Sequence, residues 1–344
     1  MFQEKFISNE SFDRKNKYKT NDQSCPKGTV AILRQRSETE SLHLDTVDQF
    51  GHHFAAMDAF ADESIYRGAQ ADISIHNLTL QNNKYSKSQI WLENGPPGEL
   101  NSIQVGWAVH PRVYGDSATR LTIYWTGDGY KKTGCYNTEC PGFIIITRKP
   151  SIGSIFKQSS VYGDKPVTFT PQVVQEFDYV DIYKQPAFQH PLLKHHKIPF
   201  AAMDAFADEK NGPPGELNSI QVGWAGFFGN WALTVDDEII GYWPGELFTH
   251  LNKGASRVRF GGNTFISPDG ISPPMGNGHD PIYDYERSSS FLHVKLTNDK
   301  YQSIEAETLM GVADSKCFKL MNRDYTNETG KSFSFGGRGG RCGF

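Results

Sequence analysis

The chain has 344 residues and a formal net charge of −4, enough length for one large domain or two smaller ones. It lacks the strong basic excess of proteins that hold nucleic acid through its phosphates. No run of about 18 apolar residues is present, which excludes a membrane-spanning helix. Glycine, proline and aromatic residues are plentiful, whereas long runs of helix formers are scarce, and this profile is typical of many short strands joined by turns.

The N-terminal segment differs from the rest of the chain. Residues 1–50 are polar and charged apart from the short apolar run "GTVAIL", and we interpret them as a flexible arm with one strand-like segment. The first residues contain no apolar core of the kind that a signal peptide requires.

From residue 52 onward, polar and apolar residues alternate over short segments, as in half-buried strands. The predicted strands lie in "QADISIHNLTL", "KSQIWLENG", "NSIQVGWAVHP", "TRLTIYWTGDGY", "PGFIIIT", "NWALTVDDEIIGYW", "SRVRFGG" and "SSFLHVKLTND". In the third of these, Ile103, Val105 and Trp107 share one face, and Gln104 and Gly106 share the other. "PGELFTHLNKGA" predicts one short helix. The pattern predicts an antiparallel all-β sandwich or barrel.

Two stretches of the sequence occur twice without any change. "NGPPGELNSIQVGWA" is found at 94–108 and 211–225, and "FAAMDAFADE" at 54–63 and 200–209. About thirty residues separate the two stretches in the first copy and a single lysine separates them in the second. Structural repeats diverge in sequence and keep their period, whereas these copies do the opposite. We interpret them as a recent duplication or a misjoined exon.

Five cysteines are present, and an odd number leaves one thiol unpaired: Cys25, Cys135, Cys140, Cys317 and Cys342. The pair in "GCYNTEC" is close enough to bridge across a tight turn, and the last two cysteines can staple the C-terminal segment. No CxxC pair has a matching partner pair, so a structural zinc site is not expected.

Glycosylation acceptor sequences occur at Asn9, Asn77 and Asn327. Together with the expected disulfides they favour a secretory setting, with Asn77 and Asn327 as glycosylated residues. The missing signal peptide conflicts with this setting, and a truncated N-terminus is the simplest reconciliation.

Three ordered blocks resemble the neprosin domain of plants: "SIQVGWAVHPRVYGD…YWTGDGYKKTGCYNTECPGF", "GNWALTV…IIGYWPGELF" and "RFGGNTF…SPPMGNGH". The resemblance spans residues 51–343 apart from one break, and "SCPKGTVAILR" resembles the end of the family's N-terminal activation peptide. It implies an antiparallel β-sandwich of two stacked sheets, secreted and preceded by a partial activation peptide at 1–50. We expect a monomer without a cofactor.

The break at 178–226 is an insert made of pieces that belong upstream. Residues 178–198 resemble an earlier half of the activation peptide, and the two duplicated stretches follow them. The family has a cysteine where this chain has Tyr179, which fits Cys25 being the odd thiol. We expect the insert to be looped out or disordered.

The resemblance implies a glutamic peptidase that cleaves after proline, with a glutamate on each of two strands across a cleft. One carboxylate takes a proton from water, and the other group donates to or polarises the scissile carbonyl. The matching positions here are Gln104, in "SIQVGW", and Asn263, in "RFGGNTF". An amide can hydrogen-bond an oxyanion, but it cannot act as a general base.

Other acids are weaker candidates for the missing base, and a solvated charge is the simpler interpretation of each: Glu93, Glu99, Glu139 and Glu246. Only Glu93, which ends the strand before that of Gln104, can reach the cleft from a neighbouring strand. Asp116 and Asp128 fit the role of turn-capping residues.

Further constellations are also weak. The histidines His52, His53, His190, His195 and His196 have no acidic or cysteine partner at ligand spacing, so no metal is expected. No GxSxG motif is present and the cysteines fit structural roles, so nothing supports a serine or cysteine nucleophile. The tail "FGGRGGRCGF" is similar to RNA-binding RGG segments, but we interpret it as a glycine-rich terminal turn.

Several aromatic residues recur on strand faces and fit either the core or the wall of the cleft. We assign four of them to the cleft: Trp107, Tyr124, Trp125 and Trp243. A cleft lined in this way suits a proline-rich peptide or a cell-wall polymer. Three hypotheses remain: a non-catalytic relative that binds such a ligand, which we favour, an active glutamic prolyl endopeptidase working at acidic pH, and the product of a defective gene.

Overall fold

The computed structural model describes residues 18–19, 51–62, 64–147, 151–175, 229–265, 269–313 and 315–342. In these residues the strands are β1 (Tyr18–Lys19), β2 (His52–Phe60), β3 (Gly68–Ser74), β4 (Ser86–Asn94), β5 (Asn101–Val109), β6 (Arg120–Thr126), β7 (Cys135–Tyr136), β8 (Ile144–Ile145), β9 (Ile155–Phe156), β10 (Thr168–Phe169), β11 (Pro171–Gln175), β12 (Trp231–Val235), β13 (Glu238–Trp243), β14 (Arg257–Phe265), β15 (Ser289–Thr297), β16 (Ser303–Glu305), β17 (Met310–Ala313), β18 (Lys319–Asn322) and β19 (Phe333–Gly336). One helical turn, α1 (Pro111–Tyr114), follows β5.

The strands form two antiparallel sheets, as the sequence predicts. The first has the order β1-β9-β6-β5-β4-β14-β2-β17, with β7 attached to β6. The second has the order β18-β19-β15-β3-β11-β12-β13-β8, with β10 on β3 and β16 on β15. The fold is therefore a β-sandwich, with its core between the two sheets.

The core follows from the alternation of residues along each strand. The apolar residues Ile103, Val105 and Trp107 of β5 point inward and are fully buried. Ile90 and Leu92 on β4 join the same cluster, as do side chains from the second sheet. The side chains at the alternate positions of the first sheet, among them Gln89, Gln104 and Asn263, point away from this core. We call the surface that they form the outer face.

The strand β2 was not predicted, although it lies inside the first sheet. Its sequence, "HHFAAMDAF", is rich in alanine and contains a central aspartate, so it lacks the β-branched and aromatic content of a typical strand. It forms because β14 pairs along its whole length on one side and β17 pairs on the other.

The strands on either side of the long insert form a hairpin. β11 pairs with β12 in register from Pro171–Val235 to Gln175–Trp231. The chain therefore leaves and re-enters the second sheet at adjacent positions. The insert at 178–226 and the arm at 1–50, apart from the two residues of β1, lie outside the described residues, and so does Cys25.

Two local predictions have different outcomes. The disulfides Cys135–Cys140 and Cys317–Cys342 are confirmed. The single helix predicted in "PGELFTHLNKGA" is wrong, because the segment forms two separate 3-10 turns, Gly245–Leu247 and Leu251–Lys253.

Among the described residues, no helix has the length and apolar character needed to cross a membrane.

Candidate active site

Gln104 lies on β5 and projects from the outer face, as its parity predicts. It sits directly opposite Trp91 on β4 and Tyr124 on β6. Its side chain is only 6% exposed, and its Nε2 donates a hydrogen bond to the Tyr130 hydroxyl at 2.9 Å. A longer contact of 3.5 Å joins the same nitrogen to the Ser102 hydroxyl. The amide is therefore held in one orientation with its nitrogen as a donor.

Asn263 projects from the same face on β14, which is on the other side of β4. It pairs with Lys87 of β4 and Phe54 of β2. It is 5% exposed, and its Oδ1 is buried without a hydrogen-bond partner in the described part of the chain. A buried polar atom of this kind costs free energy unless a ligand or water satisfies it.

Gln89 lies between the two amides, and sequence reasoning missed it. It pairs with Gly106 on one side and Gly261 on the other. Gln104 and Asn263 are each one diagonal step from it, and such a step spans about 7–8 Å in an antiparallel sheet. Two glutamates in their places would therefore extend over Gln89 from either side.

The surroundings of Gln89 suit a position that faces a ligand. Both polar atoms of its amide are buried without a partner among the described residues. A Cβ at Gly106 would lie 2.0 Å from the Ser88 carbonyl oxygen, and one at Gly261 would lie 2.4 Å from that of Ala55. Glycine is therefore required at both positions, and the backbones of the neighbouring strands pack closely on either side of Gln89. Its parity with Gln104 was the signal that could have found it.

The two carboxylates on these strands are each held by an arginine. Glu93 Oε2 accepts hydrogen bonds from Arg257 Nε, at 2.8 Å, and from its Nη2. Asp58 accepts from Arg259 Nε and Nη2 at 2.6 and 2.7 Å, in a bidentate pair. Both acids are buried, so each arginine compensates a carboxylate that is removed from water.

Glu93 also has a link to Gln104. Its Oε1 accepts a hydrogen bond of 3.3 Å from the Ser102 hydroxyl, which also contacts Gln104. Glu93 is the acid that the sequence predicts to reach the cleft from a neighbouring strand, and the structure places it on the outer face. A single hydroxyl separates its carboxylate from the Gln104 amide.

A buried lysine lies beside these groups on the outer face. Lys87 is 2% exposed and donates a hydrogen bond to the Tyr136 hydroxyl. Its ammonium lies 4.2, 5.1 and 4.6 Å from the ring centroids of Tyr85, Tyr124 and Tyr136. Aromatic faces stabilise a cation at these distances. No sequence pattern predicts this cage, because its rings come from three different strands or strand ends.

Tyr114 stands close to the same cage but cannot supply a base. Its hydroxyl is paired with Thr122 Oγ1 at 2.7 Å and accepts from Asn137 Nδ2 at 3.0 Å. Burial raises its pKa to about 12, so the phenol stays protonated at neutral and acidic pH.

The aromatic residues assigned to the cleft divide between the two sides of the sheet. Tyr124 lies on the outer face opposite Gln104. The expectation for Trp107, Trp125 and Trp243 is wrong, because all three are buried in the core between the sheets. Trp107 and Trp125 have inward parity on β5 and β6, and Trp243 packs on Phe143 in the core with ring centroids 4.5 Å apart.

The two aspartates expected to cap turns do so. Asp116 accepts a hydrogen bond from the Ala118 backbone and pairs with Arg120. Asp128 accepts from the backbone of Lys132 and from the Thr133 hydroxyl. Partial burial of Asp128 acts in the opposite direction, but these hydrogen bonds hold its pKa below the usual value.

The other acids lie away from the site. Glu99 is in the turn after β4 and contacts His250 at 3.3 Å. Glu139 and Glu246 are exposed, the latter in a 3-10 turn.

The two neighbouring histidines of β2 do not belong to one cluster. His52 and His53 have opposite parity on β2, with His52 Nδ1 2.6 Å from the Tyr85 hydroxyl and His53 beside Phe318. The described residues contain no group of three histidine, cysteine or acidic side chains that could hold a metal ion. His190, His195 and His196 lie outside the described residues.

The strands that carry these residues match a known protein family. The family model described as Neprosin matches residues 82–181 and 226–338. The chain belongs to the neprosin family. The matched ranges contain Gln89, Gln104 and Asn263, and they leave residues 182–225 unmatched.

Two solved structures also show similarity to this neprosin-family chain. One is a crystal structure of Scytalido-glutamic peptidase with a peptide-based transition state analog, 7% identical with a TM-score of 0.37. The other is a crystal structure of scytalido-glutamic peptidase with a transition state analog inhibitor, 8% identical with a TM-score of 0.35. Each alignment covers 82% of this chain and 97% of the other. At these scores the likeness identifies no residue of the site.

Proposed function

We propose that this neprosin-family chain is a non-catalytic relative of the glutamic peptidases, and that its outer face binds a peptide without cutting it. The observation that carries the proposal is the chemistry of the outer face. Gln104 and Asn263 replace the two glutamates that the family resemblance implies, and the carboxylates of Asp58 and Glu93 are each engaged by an arginine. Water activation needs a carboxylate that is available to accept a proton, and these strands offer none.

The amides retain the binding part of the chemistry. The Nε2 donor of Gln104 can polarise a peptide carbonyl in the way that an oxyanion-stabilising group does. The unpartnered atoms of Gln89 and Asn263 supply further donors and acceptors for a peptide backbone. Trp91 and Tyr124 flank Gln104, and their rings suit the flat apolar ring of proline.

The partner that fits this description is a peptide, proline-rich in our proposal, with a cell-wall polymer as the alternative ligand. We propose that the protein acts as a monomer. We also propose that it works outside the cell or in the secretory pathway, because structural disulfides such as its two form and persist mainly in oxidising compartments. Asn77 and Asn327 are exposed, as glycosylated residues must be.

One observation favours an active peptidase instead. The Ser102 hydroxyl joins Glu93 to Gln104, so Glu93 could take the place of a catalytic glutamate. In that alternative the protein is an endopeptidase that cleaves after proline at acidic pH, and release of Glu93 from Arg257 accompanies activity.

The first test is peptide cleavage by the full chain at acidic pH, measured by mass spectrometry of a proline-containing peptide. We expect no cleavage by the unchanged protein. The double substitution Gln104→Glu with Asn263→Glu should produce cleavage after proline, because it restores a titratable pair above Gln89. The matched control, Gln172→Glu with Asn252→Glu, changes the same residue types away from the outer face and should remain inactive.

Each outcome separates the hypotheses. Cleavage by the unchanged chain contradicts the proposal, and loss of that cleavage in Glu93→Gln would assign the base to Glu93. No cleavage by the double variant would mean that the outer face has lost more than its two carboxylates.

The second test is binding, measured by fluorescence polarisation with a labelled proline-rich peptide. Gln104→Ala should weaken binding about tenfold, since one hydrogen bond to a desolvated carbonyl is lost. Gln172→Ala should leave the affinity unchanged. Equal affinities of the two variants, or no binding by the full chain, would overturn the peptide-binding role.

A further inference from the structure

A pocket lies between the segment that precedes β18 and the glycine-rich tail of the chain. It has a volume of about 440 Å³ and is lined by side chains that include Tyr162, His279, Lys316 and Arg338. None of its lining residues belongs to the strands that carry Gln104 and Asn263. Small-molecule sites have volumes of a few hundred Å³, so this pocket has the size of a site for one small group.

The glycine-rich tail of the sequence holds the backbone that carries Arg338 at the edge of this pocket. Gly337 forms an antiparallel bridge with Met275, and Gly340 forms another with Ser272. A Cβ at Gly337 would lie 2.0 Å from the Cys317 carbonyl oxygen, so the tail packs too closely for any other residue there. The disulfide Cys317–Cys342 ties the same segments together. Arg338 lies in the short loop between the two bridges, so the backbone that carries it is held in place before any ligand binds.

The charge of the pocket is positive. Arg338 and Lys316 are both exposed, and no carboxylate of the described residues pairs with either. The acid that lines the pocket, Asp280, is paired with Lys319. A planar guanidinium beside an ammonium forms a strong site for a carboxylate or a sulfate group, and the arginine can bind it with two hydrogen bonds.

The other wall of the pocket offers a ring and polar atoms. Tyr162 and His279 pack against each other with ring centroids 4.6 Å apart. Tyr162 remains 54% exposed, so it presents an apolar ring face beside the two cations. The imidazole of His279 and the carboxylate of Asp280 can bond hydroxyl groups.

We propose that this pocket binds an acidic sugar unit of a glycan. Such a sugar has an anionic group for Arg338 and Lys316, hydroxyl groups for His279 and Asp280, and an apolar C–H face for Tyr162. An acidic peptide would satisfy only the cations. Nucleic acid fits less well, because the whole chain has a net charge of −4 and a carboxylate lines the pocket. This site goes beyond the proposed peptide-binding function and does not depend on it.

The anionic group of the sugar can be a carboxylate, as in uronic acids, or a sulfate ester. Binding of the full chain to oligogalacturonate, to a sulfated oligosaccharide and to a neutral galactose oligosaccharide, measured by isothermal titration calorimetry, distinguishes these sources. We expect one or both anionic ligands to bind, the neutral one not to bind, and the affinity to fall as salt is added.

Paired variants locate the site. Arg338→Ala should weaken binding about tenfold, and Arg338→Lys should recover only part of the loss, because a lysine lacks the two-pronged geometry. Tyr162→Ala should weaken binding by about fivefold through loss of the ring face. Arg341→Ala is the matched control, since it removes an exposed arginine of the same tail that does not line the pocket, and it should leave binding unchanged.

Several results would overturn the proposal. These are absence of binding to both anionic oligosaccharides at millimolar concentration, equal binding of the neutral sugar, or an equal loss in the Arg341→Ala control. Tighter binding of oligoglutamate than of either acidic sugar would reassign the pocket to an acidic peptide. Circular dichroism of each variant checks that the exposed substitutions leave the fold intact.

Discussion

At the scale of single residues, the amides of Gln104 and Asn263 matter because of their neighbours. Gln104 donates to Tyr130 and is flanked by Trp91 and Tyr124, whereas Asn263 has an unsatisfied carbonyl oxygen. The sequence predicted that Glu93 can reach the cleft from a strand next to that of Gln104, and the strand registers place Gln104, Asn263 and Glu93 on one face. The sequence could not predict the salt bridge between Glu93 and Arg257, because that arginine lies 164 residues away in the sequence.

A single histidine also makes the fold sensitive to acid. Burial lowers the pKa of His76 to about 3, from an ordinary value of 6.5. Its Nε2 lies 2.9 Å from the Ser74 hydroxyl, which already accepts a hydrogen bond from the Ser290 backbone and can donate its own proton to the neutral ring. The folded protein therefore favours the uncharged imidazole.

This histidine predicts a loss of stability at acidic pH. The unfolded chain binds the proton below pH 6.5 and the folded chain does so only near pH 3, so stability is full above pH 6.5 and falls as the pH drops between these values. At about pH 5 the loss is roughly 2 kcal/mol. Urea unfolding at neutral pH and at pH 5 should show this loss in the unchanged chain and little of it in His76→Gln.

The exposed His279→Gln is the control for this prediction, and it should keep the full pH dependence. An unchanged pH dependence in His76→Gln would contradict the assignment. The result also bears on the cleavage assay, because a peptidase test at acidic pH requires a chain that is still folded.

At the scale of elements, the β11–β12 hairpin explains how the second sheet accommodates the long insert. Gln175 and Trp231 are directly paired, so the insert leaves and returns at one point on the sheet. The neprosin family model leaves residues 182–225 unmatched. Strand patterns on both sides were visible in the sequence, but their direct pairing was not, because alternation indicates faces and not neighbours.

Deletion of residues 178–226 should therefore leave a folded protein. The remaining connection between β11 and β12 has a length suited to a hairpin loop, and a shorter loop costs less entropy to close. We expect the free energy of unfolding to stay the same or to rise by roughly 2 kcal/mol, measured by urea denaturation. Aggregation of the shortened chain, or a large loss of stability, would show that the insert belongs to the fold. Val173→Pro is the comparison that breaks the same hairpin, and it should unfold the protein.

At the scale of the whole molecule, the two disulfides restrain the unfolded chain to different extents. Cys135–Cys140 closes a loop with a sequence separation of 5, and Cys317–Cys342 closes one with a separation of 25. The longer loop removes more entropy from the unfolded state.

Removal of Cys317–Cys342 should therefore cost more stability than removal of Cys135–Cys140. The chain-entropy estimate is about 3.5 kcal/mol for Cys317→Ser with Cys342→Ser, and about 2 kcal/mol for Cys135→Ser with Cys140→Ser. Equilibrium denaturation of the two double variants gives the comparison. The reverse order would mean that native contacts around the tight Cys135–Cys140 turn dominate its effect.

The sequence by itself determined the class of fold, the family, the two disulfides and the face on which Gln104 lies. These follow from alternation along a strand, from contiguous motifs and from the spacing of cysteines, all of which are local. Only the tertiary structure decided the strand order β5-β4-β14-β2, which brings Gln89 between the two amides and an arginine to each buried acid. It also placed three tryptophans in the core and brought Arg338 beside Lys316. Contacts between distant strands and loops depend on how the sheets close around the core, and no local pattern encodes them.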